Sequence, residues 1–203
     1  MELMELAEKL NAKGFLTQVA SDLAEARKMV RDLLADVRVL GKGGSMTLVE
    51  SGIMDELEKM DIEILSSEKA KEKGLDRLDY YRRAMNADAY ICSANAVTEA
   101  GDIINIDGTG NRVGAIIYGP KKLIMVIGKN KITKNPHTAI ARIKKEACPK
   151  NAQRMGLTTP CGLEGVCGNC NHPNRMCNVT MRMEYALPNR EMHVILVDEN
   201  LGY

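Results

Sequence analysis

The sequence contains no tryptophan and one phenylalanine, and aromatic residues make up only 3% of it. That is too few flat rings for a base-stacking platform. The core has to be built from Leu, Ile, Val, Ala and Met. Charge of one sign is also missing, since 28 Lys and Arg stand against 27 Asp and Glu. There is no basic excess to neutralise a polyphosphate backbone and no acidic tail, so nucleic acid is not an expected partner. No apolar run reaches membrane-spanning length, and the longest, Val113 to Ile127, is broken by Gly119-Pro120-Lys121-Lys122. The opening MELMELAEKL patterns as an amphipathic helix rather than a signal peptide. The expectation is a cytoplasmic protein without a membrane partner, in a reducing compartment that leaves cysteines unpaired.

What is present is a globular composition, with 45% apolar and 27% charged residues over 203 positions. That length suits one domain, residues 1–203. Periodicity predicts helices over 2–12, from an N-cap at Ser21, over 67–86 and over 136–148. Short strands are expected at 36–40, 62–65 and 88–93. Asp107-Gly108-Thr109-Gly110 predicts a hairpin between strands at 102–106 and 112–118, followed by strands at 122–127 and 192–197. Strands alternate with helices first and a meander follows, which implies a three-layer α/β fold around a mixed sheet.

Four cysteines, Cys161, Cys167, Cys170 and Cys177, fall within seventeen residues in the pattern C-x5-C-x2-C-x6-C. Gly162, Gly165, Gly168, Asn169, Asn171, Pro173 and Asn174 separate them, so the stretch 151–178 can turn back on itself and bring sulfurs together. Paired C-x2-C knuckles are usual for structural zinc, and only Cys167/Cys170 forms one. The irregular spacing points to a [4Fe–4S] cluster, with Zn²⁺ as the alternative and a metal-free thiol loop as a third reading. His172 is a candidate replacement ligand and Cys148 a spare, while Cys92 sits in an apolar strand and belongs to the core.

Three polar groups are candidates for ligand binding. Gly41-Lys42-Gly43-Gly44-Ser45-Met46-Thr47 joins a strand to a helix, and Lys42, Gly43, Gly44, Ser45 and Thr47 offer donors to an anion. The same residues also read as a turn with Ser45 as N-cap. Asn105, Asp107, Asn111 and Arg112 can line a crevice at the strand ends, or serve only as turn residues. Lys131, beside Lys129, can meet an anion or lie in solvent. His137 reads as a surface or helix-capping residue and His193 as structural.

The run from Ser93 to Ile132, SANAVTEAGDIINIDGTGNRVGAIIYGPKKLIMVIGKNKI, resembles the LUD domain, the lactate-utilisation family of the LutC/YkgG type. GKGGSMTLVESG, Gly41 to Gly52, is similar to that family's glycine-rich loop. The resemblance implies a fold similar to the NagB/RpiA/CoA-transferase group. It also implies oxidation of L-lactate to pyruvate together with iron–sulfur partner subunits. The short forms with a cysteine-rich insertion are the more similar, because small LutC-like subunits lack such a loop. Glu99-Ala100-Gly101 is similar to the E-x-G of CoA-transferases, which implies Glu99 as a nucleophile or base if the chain is a transferase or isomerase with a structural metal. The expectation is therefore an iron–sulfur oxidoreductase or accessory subunit acting on a small anionic organic molecule. A metal-dependent redox-sensing module is the remaining alternative, and a homo-oligomer is allowed.

Overall fold

The computed structural model describes residues 2–203. The first half runs α1 (Leu3–Ala12), β1 (Leu16–Ala20), α2 (Leu23–Leu33), β2 (Val39–Lys42), α3 (Met46–Glu50) and α4 (Ile53–Leu57). It continues with β3 (Glu63–Leu65), α5 (Ser67–Glu72), α6 (Arg77–Ala84) and β4 (Ala89–Cys92). The second half opens with β5 (Ala96–Thr98), β6 (Ile103–Asp107), α7 (Asn111–Tyr118) and β7 (Lys122–Gly128). A 3-10 turn at Lys129–Lys131 leads to β8 (Ile132–Thr133) and α8 (Pro136–Arg142). A π turn at Ile143–Ala147 joins α8 to α9 (Cys148–Arg154). The chain ends with α10 (Pro160–Glu164), β9 (Val179–Met183) and β10 (Glu191–Val197).

Six strands form the main sheet in the order β1-β10-β7-β4-β2-β3, and every neighbouring pair is parallel. Buried parallel strands need apolar residues on both faces, and β4, β7 and β10 supply continuous runs. Tyr90, Cys92, Leu123, Met125, Val194 and Leu196 face a core shared with α1, α6 and α7. Ala89, Ile91, Ile124, Val126, Ile195 and Val197 face the opposite core under α2, α3 and α4. Helices thus cover both faces, giving three layers. Mixed pairing is confined to a smaller sheet, β8-β5-β6-β9, where β5 is parallel to β8 and β6 is antiparallel to both its neighbours. Among the described residues, no helix is long and apolar enough to cross a membrane.

Three local expectations are corrected. Residues 112–118 form α7, not the second strand of a hairpin. Gly110, at φ 80°, starts the helix, and Asp107 Oδ2 accepts the N–H groups of Arg112 and Val113, each at 3.1 Å. The carboxylate therefore acts as a helix-start acceptor, which hairpin-turn reasoning does not anticipate. The helical stretch expected at 67–86 is two helices, because Gly74 turns the chain with φ 64° between them. The N-cap of α2 is Asp22, whose side chain accepts the Glu25 N–H at 2.8 Å. Ser21 instead donates its own N–H and hydroxyl to Glu25 Oε2, both at 2.8 Å.

Candidate functional site

Adjacent parallel strands bring their carboxyl ends to one edge. The edge over β2, β4 and β7 carries Gly43–Ser45, Ser93–Asn95 and the turn ending at Lys131. The chain leaving β2 becomes α3 and α4 on one face. The chain leaving β4 builds the smaller sheet and returns as α7 on the other face. Where such connections part, open α/β sheets leave a crevice. A cleft of about 580 Å³ opens here, and Gly44, Ser45, Ser93, Asn95, Arg112 and Lys131 line its strand-end side. Its far wall comes from α9 and the cysteine loop and includes Cys148, Pro173, Asn174, Arg175 and Met176. Arg77, Arg112, Lys131, Arg154 and Arg175 are its basic residues, against Glu68 and Asp107, so its field attracts anions.

Lys131 is the group at this edge whose chemistry is most altered. It is 2% exposed, and Nζ donates to Thr47 Oγ1 at 2.6 Å and to Ser93 Oγ at 3.0 Å. Burial, and then the charges of Arg142 and Arg112, lower its pKa from 10.5 to about 7. Arg112 is fixed beside it, with Nη2 donating to Asn95 Oδ1 and to the Ile106 carbonyl, both at 2.8 Å. Asn105 supports Asn95 from below by accepting its backbone N–H at 3.0 Å. The buried Asn105 Nδ2 has no partner among the described residues. Asn111 accepts the Thr109 hydroxyl at 2.6 Å on the cleft rim.

The glycine-rich segment divides into cleft and support. Gly44 and Ser45 line the cleft, while Thr47 lies beneath it, buried, as the acceptor for Lys131. Gly43 donates its N–H to the Ile91 carbonyl at 3.0 Å, so that group is committed to the sheet. A Cβ on Gly43 would sit 2.9 Å from the Tyr90 hydroxyl, so close packing explains this glycine. Ser45 caps α3 through the Leu48 N–H at 3.3 Å. Lys42 does not line the cleft itself, but its ammonium pairs with the cleft-lining Glu68 at 3.3 Å. Burial pushes the Glu68 pKa up, but the Lys42 charge and hydrogen bonds outweigh it and leave the carboxylate below its ordinary value.

Cys161, Cys167, Cys170 and Cys177 are free thiols at intermediate exposure. The Arg175 guanidinium gathers part of the loop, donating to Cys177 Sγ at 3.2 and 3.3 Å and to the Cys170 carbonyl at 2.8 Å. Lys144 of the π turn donates to Asn169 Oδ1 at 2.8 Å and ties the loop down. Cys148 is buried behind it, packed in one apolar cluster with Cys177. Burial pushes the Cys148 thiol up to about 12, and the charges of Cys177, Cys167 and Cys161 add to that shift. Four thiols on one turn-rich segment form a donor set suited to iron–sulfur or zinc chemistry. Among the described residues, however, no three His, Cys, Asp or Glu side chains converge on the position of a single ion. His172 Nδ1 is engaged with the Asn174 N–H at 3.1 Å.

Glu99 is not part of this constellation. It is exposed in the turn after β5, with its N–H bonded to the Thr133 carbonyl at 2.8 Å, and it does not line the cleft. Ser93, Asn95, Arg77 and Arg175 were missing from the sequence-based candidates. Ser93 and Asn95 had a usable signal, because they directly follow the buried strand β4 at the ligand-binding edge of a parallel sheet. Arg77 and Arg175 had none.

The sequence profile described as the LUD domain matches residues 3–197. The chain belongs to the LUD domain family. A crystal structure of a DUF162 family protein from Deinococcus radiodurans is similar in fold to this LUD domain, with a TM-score of 0.55 at 14% identity. The similarity covers 96% of this chain and 95% of that one. No curated protein matched the sequence.

Proposed function

We propose that this LUD domain is a redox protein of the lactate-utilisation type. It binds a small organic acid in the cleft beside a [4Fe–4S] cluster held by Cys161, Cys167, Cys170 and Cys177. One observation carries the reading: the cleft has Lys131, Ser93 and Arg112 on one side and residues 173–176 of the cysteine loop on the other. Binding and electron carriage would then share a wall. The excess of basic over acidic lining residues favours a carboxylate ligand. Arg112, held rigid by Asn95 and the Ile106 carbonyl, orients that carboxylate, and Lys131 offers a hydrogen-bond donor to a neighbouring oxygen.

When bound, a cluster of this kind supplies one-electron transfer. Oxidation of a 2-hydroxy acid to a 2-oxo acid releases two electrons and two protons. Iron–sulfur partner subunits are therefore part of the proposal, as the acceptors that complete the electron balance. The test is iron and acid-labile sulfide content of protein purified without oxygen, read with its visible spectrum. About four of each per chain with a broad visible band supports the proposal. Zinc at about one per chain without colour, or no metal at all, overturns it.

A further inference from the structure

The Lys131 side chain is a buried amine, and among the described residues no carboxylate forms an ion pair with it. Its hydrogen-bond partners are two neutral hydroxyls, Thr47 Oγ1 and Ser93 Oγ. A charged ammonium in such a place is costly, because hydroxyls do not neutralise it. Lys131 nevertheless borders the cleft. The charged and titratable groups around it come from four elements. Arg112 of α7 and Arg142 of α8 oppose its charge, while Glu50 of α3 and Cys92 of β4 favour it more weakly than burial disfavours it. Structural roles for a lysine normally use the charge, in an ion pair or a helix-end contact, and this environment suppresses the charge. What remains is a lone pair at the floor of a cleft that attracts carboxylates.

We propose that Lys131 is a nucleophilic amine that captures a 2-oxo acid as an iminium, a covalent activity additional to electron transfer. This rests on the reading that the cleft takes small organic acids. The Nζ lone pair attacks the C2 carbonyl carbon, and the carbonyl π pair moves to oxygen, which takes up a proton. Nitrogen, which donates to the Ser93 hydroxyl, gives up a proton to the medium. The resulting carbinolamine takes a proton from the medium on its hydroxyl, loses it as water as the nitrogen lone pair forms the C=N bond, and becomes the iminium, with no net oxidation or reduction. Arg112 and Arg77 lie in the same cleft to hold the acid's carboxylate while C2 meets the amine. A lysine that is neutral near physiological pH suits this step, as its pKa of about 7 provides.

The test is reductive trapping on the intact protein with pyruvate and cyanoborohydride at neutral pH, followed by mass mapping. The expected result is one reduced pyruvate adduct per chain, located on Lys131. L-lactate has no C2 carbonyl and should give none. The yield should rise through about pH 7, whereas trapping on surface lysines rises only toward their ordinary pKa. Lys131→Met should lower the label to the lactate background, and Ser93→Ala should slow labelling while leaving its position unchanged. Absence of an adduct on wild-type Lys131, or label spread over exposed lysines, overturns the proposal. So does calorimetric binding of pyruvate without trapping, which would leave the organic-acid reading standing with Lys131 as a hydrogen-bond donor only. Because the decisive mapping is on the wild-type chain, a variant that fails to fold does not blunt the test.

Discussion

Thr47 Oγ1 lies 2.6 Å below Lys131 Nζ, joining residues 84 positions apart in a buried contact. Thr47 also donates its hydroxyl to the Leu201 carbonyl at 3.2 Å, so it is fixed from the other side. The contact holds the lysine at the cleft floor while leaving its charge unneutralised.

That relationship sets a pH dependence of stability. Below pH about 7 the amine is charged in both folded and unfolded chains, and folding carries the full cost of burying the charge. Above it the folded amine is neutral, while the unfolded one stays protonated up to its ordinary value of 10.5. The unfolded chain then binds the extra proton, so this group's contribution to stability rises with pH across that window. Lys131→Met should flatten the rise. Urea unfolding of both proteins at neutral and alkaline pH measures it, and parallel pH profiles would contradict the assignment.

Asp102 is the acceptor for two cations from distant elements, Lys13 Nζ at 2.7 Å and Arg182 Nη2 at 2.9 Å. Its side chain is 4% exposed, whereas Arg182 remains 47% exposed and can return to water. Asp102→Ala should therefore cost about 2 kcal/mol, the worth of lost hydrogen bonds to a charged group, because it removes the buried partner and leaves Arg182 free to reach water. A change below about 1 kcal/mol in the denaturation free energy, the value of an exposed pair, would show that the bridge is dispensable.

Gly41 sits where β2 passes under Tyr90 and α6. A Cβ there would lie 2.7 Å from Tyr90 Cδ2 and 2.8 Å from the Ala84 carbonyl oxygen. Gly41→Ala should destabilise by about 2 kcal/mol through overpacking. Gly44, where an added methyl would meet nothing within 4 Å, should accept alanine with little loss. Thermal or urea midpoints of the pair make the comparison, and equal shifts would refute it.

In the cysteine loop, serine at Cys161, Cys167, Cys170 or Cys177 should each reduce bound iron and visible absorbance. Cys148→Ala should retain both, because Cys148 belongs to α9, outside the four-cysteine loop, and is buried in an apolar cluster. Iron analysis of five anaerobically purified variants decides this. Loss of iron from the Cys148 variant would move that residue into the ligand set.

Glu99→Gln should leave organic-acid binding unchanged, since the exposed side chain lies outside the cleft. A binding or turnover defect in that variant would favour acyl-transfer chemistry over the reading proposed above.

The main sheet was legible where burial is symmetric. AYIC in β4, LIMVI in β7 and VILV in β10 are continuous apolar runs because both faces of each strand are covered. The edge strand β1 was not legible, because LTQVA buries only Ala20 and carries no two-sided signal. The 112–118 segment failed for a different reason. VGAII alternates well enough for a strand, and the deciding bonds come from the Asp107 side chain, whose role depends on where β6 ends. The candidate site was half legible. Lys131, Arg112 and Asn105 stand beside recognisable strand ends, but the convergence of Arg77 and Arg175 on the same cleft is made by tertiary packing alone.

The π turn between α8 and α9 works as a phase shifter for everything downstream. Cys148 donates its N–H to the carbonyl five residues back, at Ile143. Pro149 has no N–H to return the chain to a normal turn there, and its ring would crowd the carbonyl four residues earlier. Removing one residue from this turn would rotate α9 about 100° against α8. Cys148 and Ala147 would leave the cleft wall, and the thiol loop would be aimed elsewhere with its own sequence untouched. The alignment of the cleft with the sulfur-bearing loop is thus stored in a single residue's worth of helical pitch, outside both.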